Sequence, residues 1–224
     1  MAGLIIQDGN SIRKKVYHYL REKILSGSIA HNERIIETKI AKEIGTSRTP
    51  VREALHSLEN ERLIRSIPRV GYVVEEMSPD ELEQICEIRC VIEGLAARWA
   101  MQRGYKKLIG DLKKSIENQE KEIKKDNLVR YVELDAQFHE IISKMSGSDR
   151  LLELTQNLRR HMLRYRIQCI YEKDTAKRSI EGHRRILEAI AKADIDGVGR
   201  AIRMHLEQAK ADILRYVFHE THGA

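Results

Sequence analysis

The sequence predicts a mainly α-helical protein, in which an N-terminal winged helix-turn-helix is followed by an antiparallel all-helical bundle of six or seven helices. Residues 34–74 carry a short helix, a glycine turn, a second helix and two short β-branched segments in unbroken order. From Asp80 almost to the C-terminus, apolar residues recur at helical spacing, and no proline follows Pro79. Helices with one apolar face pack together into a bundle. A polar, helix-starting passage between the two patterns separates the predicted domains, 1–77 and 78–224.

The first helix of the predicted helix-turn-helix is marked by Ile40, Ala41 and Ile44, which share one face at helical spacing. Gly45 follows them and can adopt the left-handed backbone that a tight turn requires. Ser47 is then the expected N-cap of the next helix, with its hydroxyl accepting a backbone amide of the first turn. This order predicts two helices joined by a short turn.

The second helix is basic at its N-terminal tip. Arg48 and Arg52 lie one turn apart, and Pro50 suits a first turn, where its missing N–H is no loss. A recognition helix reads base edges with its N-terminal residues, and arginine on guanine is the commonest specific contact to DNA. Ser47 and Thr49 stand beside the arginines and can reach phosphates. The helix therefore supplies four predicted DNA contacts, Ser47, Arg48, Thr49 and Arg52.

A β-hairpin is predicted after this helix, because two short β-branched segments, 63–67 and 71–74, flank Pro68-Arg69-Val70. Arg69 would lie at the tip of this wing, where it can meet a phosphate or the minor groove. Gly71 would begin the second strand, and we include it among the predicted DNA-binding positions. The charges alone also allow an ordinary helix pair with solvated arginines.

Residues 45–55, Gly-Thr-Ser-Arg-Thr-Pro-Val-Arg-Glu-Ala-Leu, resemble the signature of the GntR family of bacterial transcription regulators. The resemblance implies a DNA-binding regulator. It also adds Thr38 to the predicted DNA contacts, at a position that is often basic in the family. His31-Asn32 stand where the family often has Pro-Gly.

Composition favours an all-helical protein with a polyanionic partner. The 224 residues carry a formal net charge of +6, with 33% charged and only 5% aromatic side chains. No apolar run approaches the roughly 20 residues that span a bilayer, and no cleavable signal opens the chain. We therefore expect a cytoplasmic protein without a membrane partner.

The three cysteines include no CxxC pair, so a disulfide scaffold is not expected. Cys86 and Cys90 lie at i and i+4 of a predicted helix. We interpret them as small buried hydrophobes in a core stripe. An oxidant sensor or a soft-metal site is the alternative that this spacing allows.

Three histidines and one aspartate of the predicted bundle have the chemistry of a metal site. Asp135 and His139 are i and i+4 and share a helix face, while His183 and His205 lie on later helices beside apolar positions. Neutral imidazoles with a carboxylate suit a borderline metal such as zinc, nickel or manganese. Spacing alone also allows four separate hydrogen-bonded side chains.

Residues 80–215 resemble the FCD ligand-binding domain of the FadR subfamily of these regulators. The matching positions are Arg89 with Glu93, Asp135 with Phe138-His139, His183 with Ile186, and His205 with Leu206. The resemblance implies a divalent metal ion bound by Asp135, His139, His183 and His205. Ser148 stands where the family commonly has asparagine after Ser-Gly.

Arg89 has two interpretations. Glu93 lies one turn later, so the two side chains can form a helix ion pair of about 0.2–0.5 kcal/mol. The resemblance implies instead a guanidinium fork that clamps the carboxylate of an effector beside the metal. We take the clamp as the prediction.

Together these features predict a transcription regulator rather than an enzyme. The expected protein is a homodimeric repressor that binds a palindromic operator in double-stranded DNA and responds to a metal and a small organic acid. A regulator that senses the metal alone, with Arg89 as a structural residue, is one alternative. A metal-dependent hydrolase is another, since a metal with an open position can activate water. No further general base is placed by the pattern, which argues against catalysis.

Overall fold

The computed structural model describes residues 9–30, 33–75, 77–172 and 174–218. By its internal contacts the chain divides into two compact units, Met1–Met77 and Ser78–Ala224. His31 and Asn32, where the sequence departs from the family pattern, lie outside the described residues.

Within its described residues, the first unit has three helices and a small antiparallel sheet. Its elements in chain order are α1 (Gly9–Leu25), β1 (Arg34–Ile35), α2 (Glu37–Ile44), α3 (Arg48–Asn60), β2 (Ile64–Ile67) and β3 (Gly71–Val74). The strand order is β1-β3-β2. Helix α1 packs against α3 through fully buried apolar side chains, among them Leu20 and Leu55. The unit is a winged helix-turn-helix, which confirms the predicted fold. The two-residue strand β1 was not predicted, because so short a segment carries no alternation.

The turn between α2 and α3 forms at Gly45, which has a left-handed φ of 73° and donates its N–H to the carbonyl of Ala41. Ser47 is the N-cap residue of α3, with extended backbone. The predicted capping bond is wrong, because the Ser47 side chain accepts no capping hydrogen bond from any described residue. Pro50 supplies the physical reason. It occupies the third helical position, whose amide is one of the two that a capping hydroxyl normally accepts, and proline has no N–H.

The wing is the hairpin of β2 and β3, in which Ser66 pairs with Tyr72 and Ile67 with Gly71. Arg69 lies in the connecting turn with φ 65°. Gly71 has φ 116°, and a Cβ there would lie 2.8 Å from the carbonyl oxygen of Ile35. Glycine is therefore required at this position for the close approach of β1 to β3.

The second unit is all-helical in the part that the structure describes. Its helices are α4 (Pro79–Lys124), α5 (Leu128–Met145), α6 (Asp149–Ile170), α7 (Thr175–Ala191) and α8 (Ile195–Ile213), followed by a π-helical turn (Leu214–Phe218). Helix α4 is two helical segments that meet at a kink at Gly104 (φ −160°, ψ 52°). Counted on both sides of the kink, the described residues form six α-helices, which agrees with the predicted six or seven.

Helix α4 begins where the sequence signals predicted. The Ser78 hydroxyl accepts the amide of Glu81, and the Glu81 carboxylate accepts the amide of Ser78, which is a complete capping box. Phe138, Ile142, Ile186 and other apolar side chains fill the core of the bundle. Among the described residues, no helix is both long and apolar enough to cross a bilayer.

Candidate functional site

The predicted DNA-binding side chains of the first unit lie at its surface. Arg48 and Arg52 at the start of α3 keep 59% and 52% of their side-chain surface exposed. Exposed residues also occupy the other predicted contact positions with side chains, namely Ser47, Thr49, Arg69 and Thr38. Because Ser47 makes no capping bond within the described residues, its hydroxyl stays available to an external partner.

Glu37, the first residue of α2, binds both arginines of the recognition helix. Its carboxylate accepts Nε and Nη2 of Arg52 at 3.0 Å each, and Nη2 of Arg48 at 3.2 Å. The hydrogen bond from Arg52 leads the causes that lower the pKa of Glu37, so this group is ionised at neutral pH. No local pattern in the sequence predicts this contact, because Glu37 lies 15 residues before Arg52.

The hydrogen bonds of Glu37 with Arg48 and Arg52 fix the orientation of the two guanidinium groups more than they add to the stability of the fold. Exposed ion pairs contribute only about 0–1 kcal/mol, because water screens the charges and both side chains lose entropy. A bidentate pair nevertheless holds a guanidinium in one plane and leaves its other N–H groups pointing outward. The arginines are thus presented in a defined geometry, with part of their charge balanced.

In the second unit, the structure brings all four predicted metal ligands together. Asp135 and His139 come from α5, His183 from α7 and His205 from α8, and one ligand atom of each lies within 4.8 Å of the others. The Nε2 atom of His139 is 3.3 Å from Nε2 of His183 and 3.2 Å from Nε2 of His205. All four side chains are buried. Four ligand atoms therefore converge on one small volume from three helices.

Hydrogen bonds to the far ring nitrogens set two of the imidazole tautomers. Nδ1 of His139 lies 2.6 Å from Oε2 of Glu93, and a carboxylate can only accept, so Nδ1 carries the proton. Nδ1 of His183 lies 2.8 Å from Oε1 of Gln119, whose amide nitrogen in turn faces the carbonyl of Leu134. Both rings thus turn an Nε2 lone pair toward the cluster, as metal-ligating histidines do.

Burial keeps the imidazoles neutral and electrostatics keep the carboxylate charged. Burial lowers the pKa of His139 and holds those of His183 and His205 well below the ordinary value. Burial alone would raise the pKa of Asp135, but the charges of Arg166 and Arg159 outweigh it and hold that pKa well below its usual range. These are the protonation states that a divalent cation needs.

Asp135 is held by groups that the sequence analysis did not identify. Its Oδ2 accepts Nη2 of Arg159 at 2.9 Å, and its Oδ1 accepts the Ser179 hydroxyl at 3.0 Å. Nη2 of Arg166 lies 3.6 Å from the same Oδ1. The spacing of Arg159 and Arg166, two turns apart on α6, places both on one helix face and was the available signal.

Arg89 forms the helix ion pair and also lines a cavity. Its Nε donates to Oε1 of Glu93 at 2.8 Å, and its Nη1 contacts the sulfur of Met162 at 3.1 Å. Nη2 has no hydrogen-bond partner among the described residues, although Arg89 is only 3% exposed. Arg89 also lines a cavity of about 250 Å³ beside His205 and Asp135. The helix ion pair is therefore present, and the guanidinium retains a buried donor at the cavity.

Ser148 and the cysteines have structural explanations. The Ser148 side chain accepts the amide of Leu151 and is the N-cap of α6. Cys86, Cys90 and Cys169 are buried free thiols. Burial raises the pKa of Cys86 to about 11, so its reactive thiolate is scarce at neutral pH. These positions agree with the interpretation of Cys86 and Cys90 as buried hydrophobes.

A winged helix-turn-helix joined in one chain to an all-helical unit defines a class, the DNA-binding regulator with a second, helical domain. The chain matches the bacterial regulatory proteins of the gntR family over residues 12–74 and the FCD domain over residues 84–208. It belongs to the GntR family of transcription regulators, in the group that carries an FCD domain. This confirms both resemblances. Since the family consists of DNA-binding regulators, the prediction that the chain is not an enzyme also stands.

Similar proteins span most of this chain. An uncharacterized HTH-type transcriptional regulator of Bacillus subtilis, YdhC, is 27% identical over 205 residues, covering 91% of both chains. The gluconate operon transcriptional repressor of Bacillus licheniformis is 28% identical, covering 87% of this chain and 82% of that protein. The solved structure of E. coli McbR/YncC superposes with a TM-score of 0.71 at 22% identity, covering 91% and 97% of the two chains, which shows a shared fold.

Gly182 on α7 makes room for the His205 ring, which generates a first prediction. A Cβ on Gly182 would lie 2.4 Å from Nδ1 of His205. Gly182→Ala should therefore displace the ring and weaken zinc binding by at least about tenfold, measured by competition with a chromogenic chelator. The control is Gly199→Ala on α8, where a Cβ meets no described atom within 4 Å. It should leave zinc affinity unchanged and stabilise the helix by about 0.5–1 kcal/mol. Equal zinc affinity in both variants would contradict the assigned ring position.

Because its buried imidazoles are neutral, the metal-free protein should lose stability as the pH falls. Burial lowers the folded-state pKa of His183 and His205 below 6.5, so only the unfolded chain gains protons as the pH falls past that value. The free energy of unfolding should then fall by up to about 1.4 kcal/mol per histidine per pH unit. Urea midpoints in EDTA, compared at about pH 7.5 and about pH 5.5, measure the effect. His183→Gln should flatten the dependence, whereas His56→Gln, at a side chain that is 59% exposed, should not.

Proposed function

We propose that the chain is a homodimeric transcription repressor that binds a palindromic operator and responds to a divalent metal and a small organic acid. The observation that carries the proposal is the buried convergence of three imidazoles and a carboxylate beside an arginine-lined cavity. Apolar residues would serve stability at least as well at this place, because even paired buried charges are often no more stabilising than well-packed hydrophobic side chains. We place its activity in the cytoplasm, where the operator is found.

The proposed DNA interface is the tip of α3 with the wing. One recognition helix reads only a few base pairs, so two helices related by a twofold axis are needed to match a palindrome.

Arg48 and Arg52 would read guanine edges with the N–H groups that Glu37 does not occupy. Ser47, Thr49 and Thr38 would position the helix on phosphates. Arg69 would contact the backbone or the minor groove, and Gly71 would let the wing strand lie close to β1.

The proposed metal centre consists of Asp135, His139, His183 and His205. Their donor set suits zinc, nickel or manganese, and four protein ligands leave further positions on a five- or six-coordinate ion. Glu93 and Gln119 would orient two of the imidazoles from outside the coordination sphere. Substitutions of such outer residues cost about 10–100-fold in metal affinity.

The proposed effector is a small organic acid held in the cavity beside the metal ligands, with Arg89 as its carboxylate clamp. One relative is named a gluconate operon transcriptional repressor, and gluconate is a small hydroxy acid, which is compatible with this class. A ligand that favours one of two arrangements of the protein changes operator affinity by the corresponding coupling free energy. Repression would be relieved or strengthened according to which arrangement the acid binds more tightly.

A regulator that senses the metal alone is the second candidate. The observation that favours it is the pairing of Arg89 with Glu93, since this arginine already has a structural partner. Under that candidate, calorimetric titration of zinc-loaded protein with carboxylic acids shows no binding, while operator affinity still depends on zinc.

Substitution of the recognition arginines tests the DNA interface. Arg48→Ala and Arg52→Ala should each weaken binding to an operator selected from random sequence by about 5–150-fold, because a bidentate arginine contact contributes about 1–3 kcal/mol. Gel retardation against random competitor measures the loss. Arg150→Ala, at a side chain that is 90% exposed in the second unit, is the matched control and should bind normally. Unchanged binding by the Arg48 and Arg52 variants would remove α3 as the reading element.

Loss of a ligand tests the metal centre. Zinc-reconstituted His183→Gln should retain far less metal than wild type after dialysis, because one of four protein ligands is lost. Elemental analysis gives the metal per chain, and circular dichroism verifies the fold. His56→Gln should retain the wild-type amount. A wild-type protein that stays metal-free after incubation with zinc, nickel and manganese would overturn the assignment.

A further inference from the structure

The cavity beside the metal-ligand cluster holds more positive than negative charge. Four arginines line it, Arg89, Arg159, Arg160 and Arg166. Two buried carboxylates face three of these arginines, Glu93 toward Arg89 and Asp135 toward Arg159 and Arg166. Glu140 also lines the cavity, but its carboxylate is paired with Lys144 at 3.2 Å. The protein itself therefore supplies fewer anions than cations at this place.

Two of the arginines that line the cavity each have one donor without a hydrogen bond among the described residues. Nη2 of Arg89 and Nε of Arg159 are buried and have no partner among the described residues. Both arginines line the same cavity, so two guanidinium groups with unmet buried donors belong to one wall. Buried donors of charged groups are costly when unmet, and like charges in a low-dielectric interior add to that cost. An anion that contacts both guanidinium groups would reduce both the cost of the unmet donors and the cost of the like charges.

We infer that the cavity takes a small acid with two anionic groups, one of which is held jointly by Arg89 and Arg159. This inference rests on the proposed function, and it defines the charge class of the proposed effector. The arginine pair would hold one anionic group, and the other would be held by the metal or its neighbours. A divalent ion on the cluster would enlarge the positive surplus by two charges. The second anionic group is a carboxylate or a phosphate, both of which match an arginine fork.

The remaining walls of the cavity limit the size of this acid. Val132, Leu163, Leu206 and Ala209 form an apolar side, which suits a short carbon chain between the two charged ends. The volume of about 250 Å³ is below the roughly 300–1,000 Å³ of pockets for drug-sized ligands. The structure therefore favours a dicarboxylate of a few carbons or a phosphorylated hydroxy acid over a long-chain or aromatic acid.

Calorimetric titration of zinc-loaded protein with matched acids tests the inference. Succinate is compared with butanoate, which has the same chain and one carboxylate fewer, and 3-phosphoglycerate is compared with glycerate. At least one of the acids with two anionic groups, succinate or 3-phosphoglycerate, should bind tenfold or more tightly than its partner with one. The acid that shows this preference identifies the second group as a carboxylate or as a phosphate. Equal affinity within both pairs would overturn the dianion inference while leaving an acid site in place. Absence of binding by all four acids would overturn the inference together with the proposed acid effector.

Arginine variants show whether the preference arises at the proposed pair. Arg159→Gln should reduce the dianion preference to less than threefold, with little change for the monoanion. Because Arg159 also holds Asp135, zinc content is measured in parallel. Arg89→Lys, which keeps the charge but loses the fork and does not contact Asp135, gives a second reading and should also lose most of the preference. Arg150→Gln, outside the cavity, should retain it. A preference that survives in both Arg159→Gln and Arg89→Lys would contradict the arginine pair as its origin.

Discussion

The organisation of the second unit depends on the cost of burying one carboxylate and three imidazoles at a single point. A buried carboxylate would ordinarily take up a proton, and Asp135 stays ionised because Arg159, Arg166 and Ser179 surround it. The imidazoles adopt the opposite solution and stay neutral. Charge on one ligand and neutrality on the others is what a divalent cation requires, and the surrounding helices are arranged to keep both.

The same side chains connect the ligand cluster to the cavity. Arg159 holds Asp135 and also lines the cavity, while Glu93 joins His139 to Arg89, which lines it as well. A ligand that moves Arg159 therefore acts on a candidate metal ligand through one hydrogen bond, and a ligand that moves Arg89 acts on another through two. Linkage makes such an effect reciprocal, so a bound metal ion would change the affinity of the cavity for an acid by the same factor.

Local patterns allowed the sequence to predict the fold and one pair of the candidate ligands. Gly45, the Ser78 start signal and the wing hairpin are encoded within a few residues, and the i, i+4 spacing of Asp135 and His139 fixes their common face. His183 and His205 joined the predicted set through family resemblance, because no spacing rule connects residues on separate helices. Glu37, Arg159 and Gln119 were missed for the same reason, since their roles depend on contacts across 15 to 64 residues of chain. The predicted Ser47 capping bond was wrong, because the general preference of serine for accepting a first-turn amide takes no account of the proline three residues later.

Both units use a carboxylate to hold an arginine in place. Glu37 grips Arg52 and Arg48 at the surface, and Glu93 grips Arg89 in the interior. An arginine has about 2 kcal/mol of side-chain rotamer entropy to lose when it binds, and a partner that fixes the guanidinium plane in advance removes part of that loss from the recognition step. At the DNA interface the acid also repels phosphates, which weakens attraction to any duplex equally. Contact with the correct base edges is then a larger share of the total binding free energy. Fixing an arginine with a carboxylate would thus exchange affinity for selectivity, at the proposed DNA interface and at the proposed acid site alike.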